Sequence, residues 1–212
     1  MTRGSRRFSI VSIHHRPSPE LILASRSSRR RQLLIEHGYT FRVVAPDESA
    51  ECGVRRGESP RELVARLAWQ KAADVAGRLD AGLIIGCDTV AECLEQVLGK
   101  PRDVRHARQM LNLLRGREHR VFSGLCLWDT AANRQRVEVA VTRLKMDRIS
   151  DDQLERYLDS GDWEGKAGAF GYQDGHAWLQ VLEGSESNVV GLPMELLAEM
   201  IARMTNANGD AS

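Results

Sequence analysis

Apolar positions along this chain switch between an unbroken short-run pattern and a helical one. Leu21–Ala24 is a short apolar run that passes directly into a helical stretch from Ser28 to about Glu36, stopped by Gly38. Phe41–Val44 reads as a second strand. Ser59-Pro-Arg-Glu62 is a capping box with proline at the first helical position, followed by apolar residues at Val64, Leu67, Ala68, Ala72 and Val75. Leu83–Cys87 has the length of a buried strand and ends in Asp88-Thr89. After a polar turn, Asp103 caps a helix carrying Ala107, Met110, Leu111 and Leu114, which Gly116 closes. His119–Trp128 and Val137–Met146 read as paired strands joined around Asp129–Asn133. Ser150, with Gln153 three residues on, opens a helix that ends by Gly161. A loop containing Gly165, Gly168, Gly171 and Gly175 precedes a strand over Ala177–Leu182. Pro193 then opens a last helix with Leu196, Leu197, Met200, Ile201 and Met204 inward. An early β-α-β-α order, then a hairpin and more helices, predicts an α/β fold with a mixed β-sheet flanked by helices.

Composition narrows this. With 212 residues, 42% of them hydrophobic, the chain has enough apolar material for one sizeable core without a disulfide or metal staple. Residues 1–19 carry four arginines and no acidic side chain, unlike the rest, and predict an unstructured basic tail. Transit-peptide composition and an anion- or partner-binding arm are the other readings of that segment. One domain is expected over 20–204, with a polar tail at 205–212. Lys+Arg 30 against Asp+Glu 29 leaves a net charge of +1, which argues against a basic nucleic-acid coat. No apolar run approaches the ~20 residues of a membrane span. Four cysteines without a CxxC pair indicate neither a zinc site nor a disulfide framework, so the cytoplasm is the expected compartment. The four tryptophans read as core rather than as a base-stacking platform.

Candidate chemistry gathers at five places. At Leu23-Ala-Ser-Arg-Ser-Ser-Arg-Arg-Arg31 a strand opens into a helix, so free backbone N–H groups face an anion at a positive helix end. Ser25 and Ser27 can add hydroxyls there, and Arg29 and Arg30 planar forks for phosphate. The plainer reading is Ser28 as an N-cap on a solvated basic helix face. Asp88 stands just past a buried strand, where open α/β sheets keep catalytic groups, and Gly86 allows a ligand or another backbone close. Its companion is Lys100 in the turn Gly99-Lys100-Pro101. Lys71 falls on the apolar stripe of its helix, so it either snorkels or has an anionic partner. Lys166-Ala-Gly-Ala-Phe-Gly-Tyr-Gln173 combines a lysine, close-packed glycines and an amide able to read a base edge. Asp47, Glu48 and Glu51 form an acidic cluster after a strand, able to hold Mg²⁺ or Mn²⁺ or simply to line a solvated loop. No HxH, HExxH or Ser-His-Asp spacing is present. Together these features suit a phosphorylated ligand held with a divalent metal, without naming a reaction.

The motifs LASRSSRR, ESPRELVARLAWQKA, IIGCDTV, LGKPRD, KAGAFGYQ and VVGLP, in this order, resemble the Maf family of nucleotide pyrophosphatases, related in fold to the inosine-triphosphate pyrophosphatases. The resemblance extends from Leu21 to about Met204. The family pattern at the first motif is Leu-Ala-Ser-x-Ser-Pro-Arg-Arg, with Ser28 here in place of proline. Gly165 stands where the family often has an acidic residue before the lysine of KAG. The resemblance implies hydrolysis of a nucleoside triphosphate to the monophosphate and pyrophosphate, modified nucleotides being further candidate substrates. It implies Asp88 as general base, Lys71 and Lys100 as phosphate contacts, a divalent metal on Glu48 or Glu51, and a homodimer. Thr89 and Gln173, with Arg29, resemble the subgroup that favours dTTP and UTP over 7-methyl-GTP. Other classes are a non-catalytic nucleotide-binding regulator and a nucleic-acid-binding module built on the Arg26–Arg31 run.

Overall fold

The computed structural model describes residues 19–50, 52–174 and 177–206. The basic tail expected over 1–19 falls almost wholly outside these residues, as do Glu51 and most of the expected polar tail. The described residues form one seven-stranded mixed sheet with helices on both faces. Its elements are β1 (Leu21–Ala24), α1 (Ser28–Glu36), β2 (Phe41–Val43), α2 (Pro60–Ala76), β3 (Leu83–Cys93), β4 (Gln96–Leu98), α3 (Val104–Leu114), β5 (Glu118–Asp129), β6 (Arg134–Met146), α4 (Asp151–Ser160), β7 (Leu179–Glu183), α5 (Glu186–Val190) and α6 (Met194–Asn206). The strand order is β2-β1-β3-β5-β6-β7, with β4 pairing the far end of β3. β1 lies parallel to β2 and β3, and the remaining pairs are antiparallel.

Strand β3 departs most from the pattern reading, which ended it at Cys87. Its parallel neighbour β1 stops at Ala24, opposite Gly86, but the ladder to β5 continues through Asp88 with Gly124 and Thr89 with Ser123. Two polar residues therefore sit inside a strand, at the point where one of its neighbours has ended and a cleft opens. β4 was hidden in what reads as a polar turn. Leu94 and Glu95 turn the chain with φ of 49° and 64°, without the glycine or asparagine that announces such a hairpin. The start of α1 is capped by Ser27, not Ser28, and α6 runs on to Asn206, past the expected end at Met204.

Helix α2 fixes the site. It crosses the sheet over two glycines: a Cβ on Gly86 would meet the Ala68 carbonyl oxygen at 2.2 Å, and one on Gly124 the Val64 carbonyl oxygen at 2.0 Å. Only glycine allows a helix backbone this close to a strand. Ala68, Ala72 and Val75 pack on Ile22, Ala24 and Ile84 beneath it. The opposite face is covered by α1 and α6, with Leu33, Leu34, Leu197, Met200 and Met204 on Leu23, Ile85 and Leu127. None of the four tryptophans is fully buried: Trp69 is 40% exposed, and Trp128, Trp163 and Trp178 pack at the margins of the core. Their polar N–H edge favours such a border.

Candidate active site

The β1–α1 turn forms one wall. Ser25 is buried, and its Oγ accepts from the Ser27 amide at 3.1 Å and from Arg30 Nη1 at 3.3 Å. Ser27 Oγ accepts from the Arg30 amide at 3.4 Å, the N-cap bond of α1. Arg30 is a buried guanidinium laid across the floor. Its Nε donates to the Gly191 carbonyl at 2.7 Å and its Nη2 to Thr89 Oγ1 at 3.2 Å. Arg29 reaches the Gly165 carbonyl at 2.8 Å, tying α1 to the glycine-rich loop.

Asp88 and Thr89, adjacent on β3, point to opposite faces of the sheet. Asp88 faces α2, where Lys71 Nζ lies 2.5 Å from its Oδ1. Lys71 also approaches the Cys87 carbonyl at 3.4 Å. This ammonium is therefore buried with an anionic partner rather than snorkelling. Gly86 admits the backbone of α2, which brings the pair together. Thr89 faces the other way, where its hydroxyl meets Ser123 Oγ at 2.8 Å and the Gly191 carbonyl at 3.3 Å. Burial pushes the Cys87 thiol up, so the cysteine beside Asp88 stays a neutral thiol and not a nucleophile.

The far wall is the loop of residues 165–173. Gly168 holds φ 70° and donates its amide to the Gly99 carbonyl at 3.0 Å, which joins the Lys100 turn to the Lys166 loop. Tyr172 donates to Glu186 Oε1 at 2.6 Å, and this carboxylate holds the phenol above its ordinary range.

These walls enclose a cavity of about 360 Å³. Ser25, Ser27, Arg29, Arg30, Lys71, Asp88, Thr89, Lys100, Lys166 and Gln173, all chosen from the sequence, line it. Arg26, Phe170, Val189 and Val190, which stand in the quoted motifs without a role of their own, line it as well, and so does Val121, which stands in none. The lining thus combines cations, hydroxyls and a few apolar side chains. Ser123 lies behind Thr89 and is fully buried. The signal for it, a serine within an apolar strand, becomes readable only once the β3–β5 register is known.

Glu48 lies outside this lining. It stands in a 3-10 turn over Glu48–Ala50, its side chain 90% exposed and 3.5 Å from Arg26 Nη1. Among the described residues no three His, Cys, Asp or Glu side chains cluster as a metal cage. Mg²⁺ is commonly held by one or two carboxylates plus substrate phosphates, and the donor set here fits an ion carried that way. No helix among the described residues is long and apolar enough to cross a membrane.

A family model described as Maf-like protein matches residues 20–204. A Rhodopirellula baltica protein named dTTP/UTP pyrophosphatase is 56% identical over 187 residues, 87% of this chain and 82% of its own. One of the same name from Pelotomaculum thermopropionicum is 41% identical over 87% of this chain and 96% of its own. A third, from Geotalea uraniireducens, is 39% identical over 87% and 94%. The solved structure of a HAM1 protein from Coxiella burnetii superposes with a TM-score of 0.47 at 14% identity, covering 89% of this chain and 99% of that one. The motifs that frame the cavity and the family match over 20–204 agree, and the chain belongs to the Maf family.

Proposed function

We propose that this chain is a nucleoside triphosphate pyrophosphatase that hydrolyses dTTP and UTP to the monophosphate and pyrophosphate. One observation carries the reading: among the described residues, Asp88 is the one carboxylate lining a cavity that also holds Arg26, Arg29, Arg30, Lys71, Lys100 and Lys166. A polyanion fits such a lining, and a single basic oxygen within it can act on water. The identity to relatives named dTTP/UTP pyrophosphatase supports the choice of base.

Asp88 takes a proton from water as the water oxygen attacks the α-phosphorus. The bond from that phosphorus to the α–β bridging oxygen breaks, and its electron pair leaves with pyrophosphate. Lys71 holds one Asp88 oxygen and so fixes the direction of the other. Lys71, Lys100, Lys166, Arg29 and the N–H groups of the α1 start stabilise the charge that grows on the phosphoryl oxygens. Arg30 and Thr89, engaged with each other and with the Gly191 carbonyl, hold the wall of the pocket. Gln173 offers both a donor and an acceptor to a pyrimidine edge. Glu48 or Glu51, together with the triphosphate, would hold a divalent ion, Mg²⁺ or Mn²⁺, which would supply charge neutralisation on the leaving group. Free nucleotides rather than nucleic acid suit a cavity of this volume. The four free cysteines fit a reducing compartment, and the cytoplasm is our assignment.

The test is pyrophosphate release from dTTP, UTP, CTP, GTP and 7-methyl-GTP. Preference for dTTP and UTP is expected. Tight binding without release would instead make the chain a nucleotide sensor, and a preference for 7-methyl-GTP would overturn the base assignment alone.

A further inference from the structure

The three arginines of the β1–α1 turn that line the cavity are not equivalent. Arg29 and Arg30 are tied to backbone carbonyls at 2.8 and 2.7 Å, and Arg30 also donates to Ser25 and Thr89. Arg26 makes a single contact among the described residues, 3.5 Å to Glu48 Oε1. Both of those side chains are well exposed, at 56% and 90%. A long, exposed, single-contact ion pair contributes little and is readily given up. Glu48 itself cannot follow Arg26 far. The segment before it is pinned to α2 and the turn that follows it: Arg78 Nη2 donates to the Ala45 carbonyl at 2.9 Å, and the Asp47 amide to Asp74 Oδ2 at 3.1 Å. Arg26 also occupies the position that the family pattern leaves open, so the motif itself does not assign it a role.

Resting on the pyrophosphatase reading, we infer that Arg26 is a further phosphate-binding residue of the cavity, whose guanidinium exchanges the Glu48 carboxylate for phosphate oxygens of the bound triphosphate. The guanidinium fork matches two phosphate oxygens at once, whereas it touches Glu48 at one atom and at long range. Glu48 is therefore a weak competitor for Arg26, held at the rim by the pinned segment. Removing each member of this pair must shift anion binding in opposite directions.

The experiment is calorimetric binding of inorganic pyrophosphate, without added divalent ion, to the wild type, Arg26→Ala, Glu48→Ala and the double variant. Arg26→Ala is expected to weaken binding about tenfold or more. Glu48→Ala is expected to tighten it by up to about fivefold, and to do nothing once Arg26 is absent. Arg26→Ala within twofold of wild type overturns the inference, as does a wild type that binds no pyrophosphate. So does a Glu48→Ala gain of equal size with and without Arg26, which would be plain repulsion between carboxylate and anion. Pyrophosphate release from dTTP by the wild type is measured alongside. Its absence would count against the pyrophosphatase reading, while the binding comparison would still score Arg26.

Discussion

Asp88 is surrounded by groups that determine what it can do. Lys71 takes one of its oxygens at 2.5 Å, and the cross-strand partner is Gly124, which has no side chain to crowd it. If Asp88 is the base, Asp88→Asn should keep the fold and nucleotide binding and lower kcat by roughly 10²–10⁴-fold. Turnover within a few-fold of wild type would remove it from that role. Gln173 stands apart from this centre, exposed on the far wall, so its effect should fall on base choice. Gln173→Glu removes the donor while keeping an acceptor, because an ionised carboxylate cannot donate. The dTTP-to-GTP ratio of kcat/KM should fall in this variant by about tenfold, the cost of one mismatched polar contact. An unchanged ratio would mean that the base is read elsewhere. That such side chains line one cavity is foreshadowed in the sequence because each stands in a quoted motif, while the roles assigned to them come from the family resemblance. Ser123 and Val121 stand in none of these motifs, and Arg26 stands in one without a role of its own. Ser123 and Val121 matter through β-sheet register, and Arg26 looks like one more charge in a basic run.

At the scale of elements, the site is an assembly of three junctions, and helix α2 is the one that sets distances. Its capping box and apolar stripe were plain in the sequence, but its depth was not, because that depends on Gly86 and Gly124 lying beneath it. Gly124→Ala would drive a Cβ into the Val64 carbonyl, 2.0 Å away, so α2 must lift. We expect a loss of about 3 kcal/mol of stability, the upper part of the usual overpacking range, and a fall in kcat through Lys71, which rides on the same helix. Gly77→Ala, at the end of α2, is the control. Its nearest contact would be 3.6 Å and its φ is helical, so stability and turnover should hardly change. Chemical unfolding and dTTP turnover on both variants would check this, and a tolerated Gly124→Ala would refute the close-approach argument. The elements that the pattern misses have two causes. β4 and α5 span three and five residues, too short for a period to appear, and the extension of β3 carries polar residues because its neighbour β1 has ended.

For the whole molecule, acid stability should depend on one buried ring. His119 lies on β5 with 3% of its surface exposed, edge-on to Phe170 in the cavity wall at 5.2 Å between ring centres. Neither ring nitrogen has a hydrogen bond of normal geometry among the described residues. Burial lowers its pKa from 6.5 to about 4, outweighing the Arg117 backbone and Glu92, which both favour the charged ring. The folded chain therefore binds this proton less readily than the unfolded chain does. The His119 contribution is negligible well above pH 6.5, lowers stability as pH drops from there to about 4, and levels off at its full cost below that. The gap between the two values corresponds to about 3 kcal/mol, a large part of an ordinary domain's stability. Glu58 acts at lower pH. The Arg66 hydrogen bond holds its carboxyl below the usual range, so its contribution is present above the unfolded carboxylate value and is lost as pH falls through the folded one. That loss is common to wild type and variant. His119→Leu removes a titrating group and two buried nitrogens that lack a hydrogen bond of normal geometry, at similar volume, so stability at neutral pH should be equal or higher. In urea unfolding at pH 7.5 and 4.5, wild type should lose more than about 2 kcal/mol beyond what His119→Leu loses. Equal losses in the two proteins would mean that the ring takes up its proton in the folded state without cost.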